Sequence, residues 1–77
     1  MHELALIENL ITTVTREVGD ARVHVVRLNV GRHACTSRHA LRFCFEVCVW
    51  RTPLEGAALE IIETDGDDLQ IAEVEVS

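Results

Sequence analysis

At 77 residues, 48% of them hydrophobic, the chain has room for one domain with a small core, burying roughly 60% of its unfolded surface. A net charge of −6 and an aromatic content of 4% argue against nucleic acid as a main partner. No stretch approaches the ~20 apolar residues of a membrane span. No basic segment precedes the first apolar run as it would in a signal peptide, so the cytoplasm is the expected location.

The chain opens with "MHELALIENLI" and enters helical periodicity at once. Leu4, Ile7, Ile11, Val14 and Val18 recur three or four residues apart, which predicts a helix over residues 3–18, with Gly19 suited to its C-terminal cap. Residues 22–30, "RVHVVRLNV", are rich in β-branched side chains. Val26, Leu28 and Val30 alternate there with Arg27 and Asn29, which predicts a strand ended by Gly31. "RHACTS" reads as a loop whose Thr36 or Ser37 can cap a second helix over residues 38–50. Leu41, Cys44, Phe45 and Cys48 share one face of that helix. Phe43, Val47 and Trp50 extend its apolar surface round the side, either as core or as a docking patch. Pro53 in "RTPLEG" ends the helix in a turn. "AALEIIE" and "LQIAEVEV" then flank "TDGDD", and Asp-Gly between two strand-like runs predicts a hairpin turn near residues 64–68.

The order α-β-α-β-β gives an α+β fold: a three-stranded sheet with two helices packed on one face, over residues 1–77 as a single domain. The last strand complicates this. Leu69 and Ile71 point one way while Ala72, Val74 and Val76 point the other, so either a β-bulge intervenes or both sheet faces are partly covered.

Charge is distributed unevenly. All seven basic residues are arginines within residues 1–54, which carry a net +2; residues 55–77 carry −8. The acidic end reads as a solvated hairpin face, or as a surface that steers a basic partner. Cys35, Cys44 and Cys48 lack CxxC spacing, which argues against a disulfide framework and a tetrahedral zinc site. Cys44 and Cys48, one helical turn apart, read as small buried hydrophobes. "DGDD" lacks the ligand order and terminal glutamate of an EF-hand and reads as a turn. No nucleophile–base arrangement and no glycine-rich phosphate loop is recognisable, so an enzyme is not expected.

The "MHE" start has its own chemistry. The first four backbone N–H groups of a helix have no intrahelical acceptor. The amides of His2 and Glu3, the terminal amine of Met1 and the His2 imidazole can form a compact nitrogen-rich chelate. Planar or tetragonal nitrogen sets suit Ni(II) or Cu(II). Taken alone, a histidine at the second position also fits an exposed polar residue.

Several segments resemble the HypA family of nickel metallochaperones for hydrogenase maturation. They are "MHELALIENLI", "VVRLNVG", "ALRFCFEV", "TPLEGAALEI" and "LQIAEVEVS", in the family's order and over most of the chain. The resemblance implies nickel(II) held by His2 with backbone nitrogens of Met1, His2 and Glu3. It implies delivery, with a nickel-handling GTPase, to a hydrogenase large subunit, or to urease in some organisms. The chain departs from the family at three places. "TDGDD" stands where the family inserts a zinc-binding segment with paired CxxC motifs, so no structural zinc is expected. Ser37 stands where the family commonly has an acid, and Arg32 where it usually has Glu. His33, Cys35 and His39 lie within seven residues near that missing acid and are candidates for an accessory ligand, against a reading as surface histidines and a packed cysteine. The alternative function is a metal-free protein-interaction or regulatory module that keeps the family's docking surface.

Overall fold

The computed structural model describes residues 2–34 and 37–77, apart from the His2 side chain. The elements are α1 (His2–Val18), β1 (Val23–Gly31), α2 (Arg38–Cys48), β2 (Ala58–Thr64) and β3 (Leu69–Val76). This is the predicted order, and both helices cover one face of the sheet. Among the described residues no helix is long and apolar enough to cross a membrane.

Local chemistry sets the helix ends. Glu3 in the first turn of α1 and Arg16 in its last complement the helix dipole. Gly19 follows at φ 63°, its N–H donating to the Thr15 carbonyl at 3.1 Å. Ser37 caps α2, its Oγ accepting from the Ala40 N–H at 3.0 Å. That helix stops at Cys48, two residues before the predicted end, because the Val49 cap leads into a turn closed by Thr52 N–H to Val49 O at 2.9 Å.

The core lies between the helices and the sheet. Ile7, Leu10, Ile11 and Val14 of α1 meet Leu41 and Phe45 of α2 over Val26, Leu28, Val30 and Leu59. Cys44 and Cys48, expected to be buried, are half-buried free thiols packed against this cluster.

The strand order β2-β1-β3 corrects the expected hairpin. A turn does join the last two strands, but they are not paired with each other. β1 lies between them, parallel to β2 and antiparallel to β3. The reason lies in the β1–α2–β2 unit. A strand, a crossover helix and a second strand make a parallel pair, which commits one side of β1 to β2 and leaves the other to β3.

Residues 65–68 must therefore cross the end of β1. Two backbone bonds clamp them there, Gly31 N–H to Asp68 O at 2.7 Å and His33 N–H to Gly66 O at 3.1 Å, and Arg32 N–H to Thr64 O at 2.9 Å holds the end of β2 just before them. A Cβ on Gly31 would lie 2.2 Å from the Gly66 oxygen and 2.7 Å from the Asp68 nitrogen. Only a bare backbone fits under this crossing.

The ambiguity in the last strand resolves as a bulge. Partners step from Arg27↔Glu73 to Leu28↔Ile71, so Ala72 is the extra residue. Leu69, Ile71 and Val74 then all pack against the core, and Ala72 and Val76 are exposed. On the opposite, open face of the sheet, Arg27 binds three carboxylates: Nε to Glu60 at 2.8 Å, and its other two nitrogens to Glu73 and Glu75, each at 2.6 Å. One guanidinium on the central strand thus ties both outer strands.

Two substitutions test these devices. Gly31→Ala is expected to cost about 2 kcal/mol or more, because backbone must move to admit the methyl group. Gly19→Ala has open space and only its left-handed φ against it, and is expected to cost about 1 kcal/mol. Chemical denaturation of both variants checks the ranking. Arg27→Gln is expected to lower the thermal midpoint at low salt, with the gap to wild type narrowing in molar salt as the freed carboxylates are screened.

Candidate metal centre

The topology gathers one end of the molecule. Residues 19–22 turn α1 directly into β1, so the two run in opposite directions. The crossover α2 also runs against β1, because β2 is parallel to it. The helices are therefore parallel to each other, and both start beside the end of β1, where residues 65–68 cross.

His2 is the first residue of α1, with Glu3 half-buried in its first turn. The amides at this start have no helical acceptor, and the dipole favours the Glu3 carboxylate there. The helix is held down immediately behind, by fully buried Ile7 and then by Leu10 and Ile11. Leu10 was not in the predicted stripe; its place one turn before Val14 was the available signal. Met1 and the His2 imidazole lie outside the described residues. What is described is a helix beginning at His2, on an anchored platform, with Glu3 in its first turn.

Two of the accessory candidates, His33 and His39, fall at the same end. His33 is exposed in the turn after β1, and His39 is exposed in the first turn of α2. Cys35 lies outside the described residues. Arg32, where an acid was noted as usual, points its Nε to Asp65 at 3.9 Å, and Arg38 meets Glu63 at 3.6 Å. Among the described residues no three His, Cys, Asp or Glu side chains converge on a point that could hold a metal. His24 is at the opposite end of β1, with Nε2 2.9 Å from the Ser77 hydroxyl.

A second feature was not foreseen. Cys48 lines a cleft between α1 and the end of α2 with Glu8, Asn9, Ile11, Thr12 and Thr52. Burial, then the Glu8 carboxylate and Cys44, push the Cys48 thiol up. Cys48 is thus held as a neutral thiol, the opposite of what a thiolate nucleophile or ligand needs. The acids of residues 55–77 also have places: Glu55 accepts from the Arg51 backbone N–H, Glu60, Glu73 and Glu75 surround Arg27, Glu63 faces Arg38, and Asp65, Asp67 and Asp68 lie in the crossing loop, all of them exposed.

Comparison with known proteins agrees with this architecture. A family model described as hydrogenase/urease nickel incorporation, metallochaperone, HypA, matches residues 1–68. The hydrogenase maturation factor HypA of Crocosphaera subtropica is 42% identical over 66 residues, covering 86% of this chain and 58% of that protein. HypA 2 of Bradyrhizobium diazoefficiens is 45% identical over 69 residues, covering 86% of this chain and 61% of its own. The chain thus spans about three fifths of the length of these relatives. The solution structure of the nickel metallochaperone HypA from Helicobacter pylori aligns with a TM-score of 0.65 over 97% of this chain and 86% of that one, at 11% identity, which speaks for a shared fold. The α-β-α-β-β sheet, the helix that starts at His2 and the family match over residues 1–68 together place this chain in the HypA family, whose members are metallochaperones for nickel and not enzymes.

Proposed function

We propose that residues 1–77 form a nickel-binding metallochaperone domain in which Met1, His2 and Glu3 clamp nickel(II) at the start of α1. The observation that carries this reading is the position of the helix start. α1 begins at His2, and its buried face begins at Ile7, so the clamp sits on a rigid platform. Met1 supplies the amine and His2 the imidazole and an amide. Glu3 supplies an amide nitrogen, and its carboxylate adds negative charge where the helix dipole favours it. Nickel is cargo, handed with a nickel-handling GTPase to a hydrogenase large subunit or to a urease. His33, Cys35 and His39 are the residues from which an accessory ligand would come. The 65–68 crossing takes the place of the family's zinc-binding segment, so the domain folds without structural zinc. A second reading, a metal-free interaction module, is favoured by one observation: Phe43, Val47 and Trp50 are exposed on α2.

Nickel titration separates the two. Planar nickel bound by wild type is expected to be yellow and diamagnetic. His2→Ala is expected to weaken binding by about 100-fold or more with an unchanged circular dichroism spectrum, since His2 precedes the packed stripe. A Gly-Ser extension ahead of Met1 weakens it too, by turning the amine into an amide. An unchanged isotherm in the His2→Ala variant would hand the case to the interaction module. Because imidazole binds metal only when neutral, affinity is expected to hold at neutral pH and fall as pH drops through the ordinary imidazole range, about 6.5.

Zinc gives an independent check. The purified domain is expected to retain no stoichiometric zinc after dialysis and to keep its far-ultraviolet spectrum in EDTA. Retained zinc together with unfolding on chelation would contradict the proposed domain boundary.

A further inference from the structure

We propose that the outward side of α2 and the turn after it is a docking surface for an acidic amphipathic helix of a partner protein. Phe43, Val47 and Trp50 are 63%, 56% and 64% exposed. Their spacing, i, i+4 and i+7, places them along one side of the helix as the chain continues through the helical Val49. The core takes nothing from them, because the opposite side of α2 already supplies Leu41 and Phe45. The other exposed large apolar residues, Ile62 and Val76, lie on separate strands of the sheet. A ridge of three large side chains along about 10 Å of helix matches the anchor spacing by which one helix packs on another.

Charge selects the occupant. The cations of α2 and its following turn are Arg38, Arg42 and Arg51, against the acids Glu46 and Glu55. Arg38 faces Glu63. Among the described residues neither the Arg42 nor the Arg51 guanidinium is paired with a carboxylate; the Glu55 carboxylate accepts from the Arg51 backbone N–H at 3.3 Å. Arg42 gives one nitrogen to the Leu59 carbonyl at 2.6 Å. Arg51 stacks its guanidinium 4.6 Å from the centre of the Trp50 ring, on a backbone with φ 64°. That is an unusual conformation for a residue other than glycine, and it sets Arg51 beside the apolar ridge. Arg27 shows what such a group does when carboxylates are within reach: it takes three. Arg42 and Arg51 lack theirs, and a partner helix with Glu or Asp on its flanks would supply them as charge-assisted bonds. Beside Arg42, a groove between α2 and the edge strand β2, lined by Phe45, Glu46, Ala57, Ala58 and Leu59, gives the visitor a second wall. A second copy of this chain fits poorly. A two-fold contact places the same patch against itself, which would set these arginines against their own copies.

The surface requires no metal, so its test stands apart from the nickel titration. The probe is a labelled synthetic helix of about 20 residues with leucines on one face and glutamates on both flanks. Trp50, the sole tryptophan of the chain, reports contact directly. Saturable binding with a blue-shifted Trp50 emission is expected, weakening as salt rises. The same peptide with lysine in place of glutamate is expected to bind about tenfold more weakly or worse, as is the Val47→Asp variant with the glutamate peptide. If Val47→Asp fails to fold, Arg42→Gln combined with Arg51→Gln takes its place with the same expectation. Absence of binding overturns the proposal, as do equal affinities for the two peptides or an affinity untouched by the variants. Self-association accompanied by a blue shift of Trp50 when the protein is concentrated alone also overturns it, by naming a second copy as the occupant.

Discussion

The end of β1 has to be bare. β1 pairs with β2 on one side and β3 on the other, and the segment that joins those outer strands has only residues 65–68 to cross it. Outer strands of a three-stranded sheet lie roughly 10 Å apart, and the four-residue link between them runs close against the end of the central strand. Gly31 permits that approach, and the amides of Gly31 and His33 bind the crossing segment in place. The short turn from α1 into β1 and the parallel β1–β2 pair gather the starts of both helices at the same end as this crossing.

The two faces of β1 meet water in different ways. Toward the helices, Val26, Leu28 and Val30 are buried, and the bulge at Ala72 lets Leu69, Ile71 and Val74 join them. A small core cannot cover the other face. There Arg27 neutralises part of an acidic strip by engaging Glu60, Glu73 and Glu75. The strongly acidic end of the chain is thus largely a solvated sheet face and loop. On α2 the outward side keeps large apolar groups and arginines together, and the Arg42 and Arg51 guanidinium groups there meet a carbonyl and an aromatic ring in place of a carboxylate.

Much of this was legible in local sequence. Both helices, the three strands, the Gly19 stop and the Ser37 cap depend on periodicity and on groups a few residues apart, and each appears within two residues of its expected place. The helix start at "MHE" was legible for the same reason. The hairpin was read wrongly because Asp-Gly reports a turn and not which strands the turn pairs. A βαβ unit upstream had already claimed one side of β1, and pairing across the sheet outweighs a two-residue signal.

By itself, then, the sequence determined the elements, their order, the helix that presents His2 and Glu3, and membership in a family. These rest on short-range geometry and on segments of quotable sequence. Only the tertiary structure decided that β2 and β3 flank β1, that Gly31 must be bare, that Ala72 is looped out, and that Phe43, Val47 and Trp50 face water. Each of these depends on which distant backbone or side chain occupies the adjoining space, and a single strand or helix read alone carries no record of its neighbours.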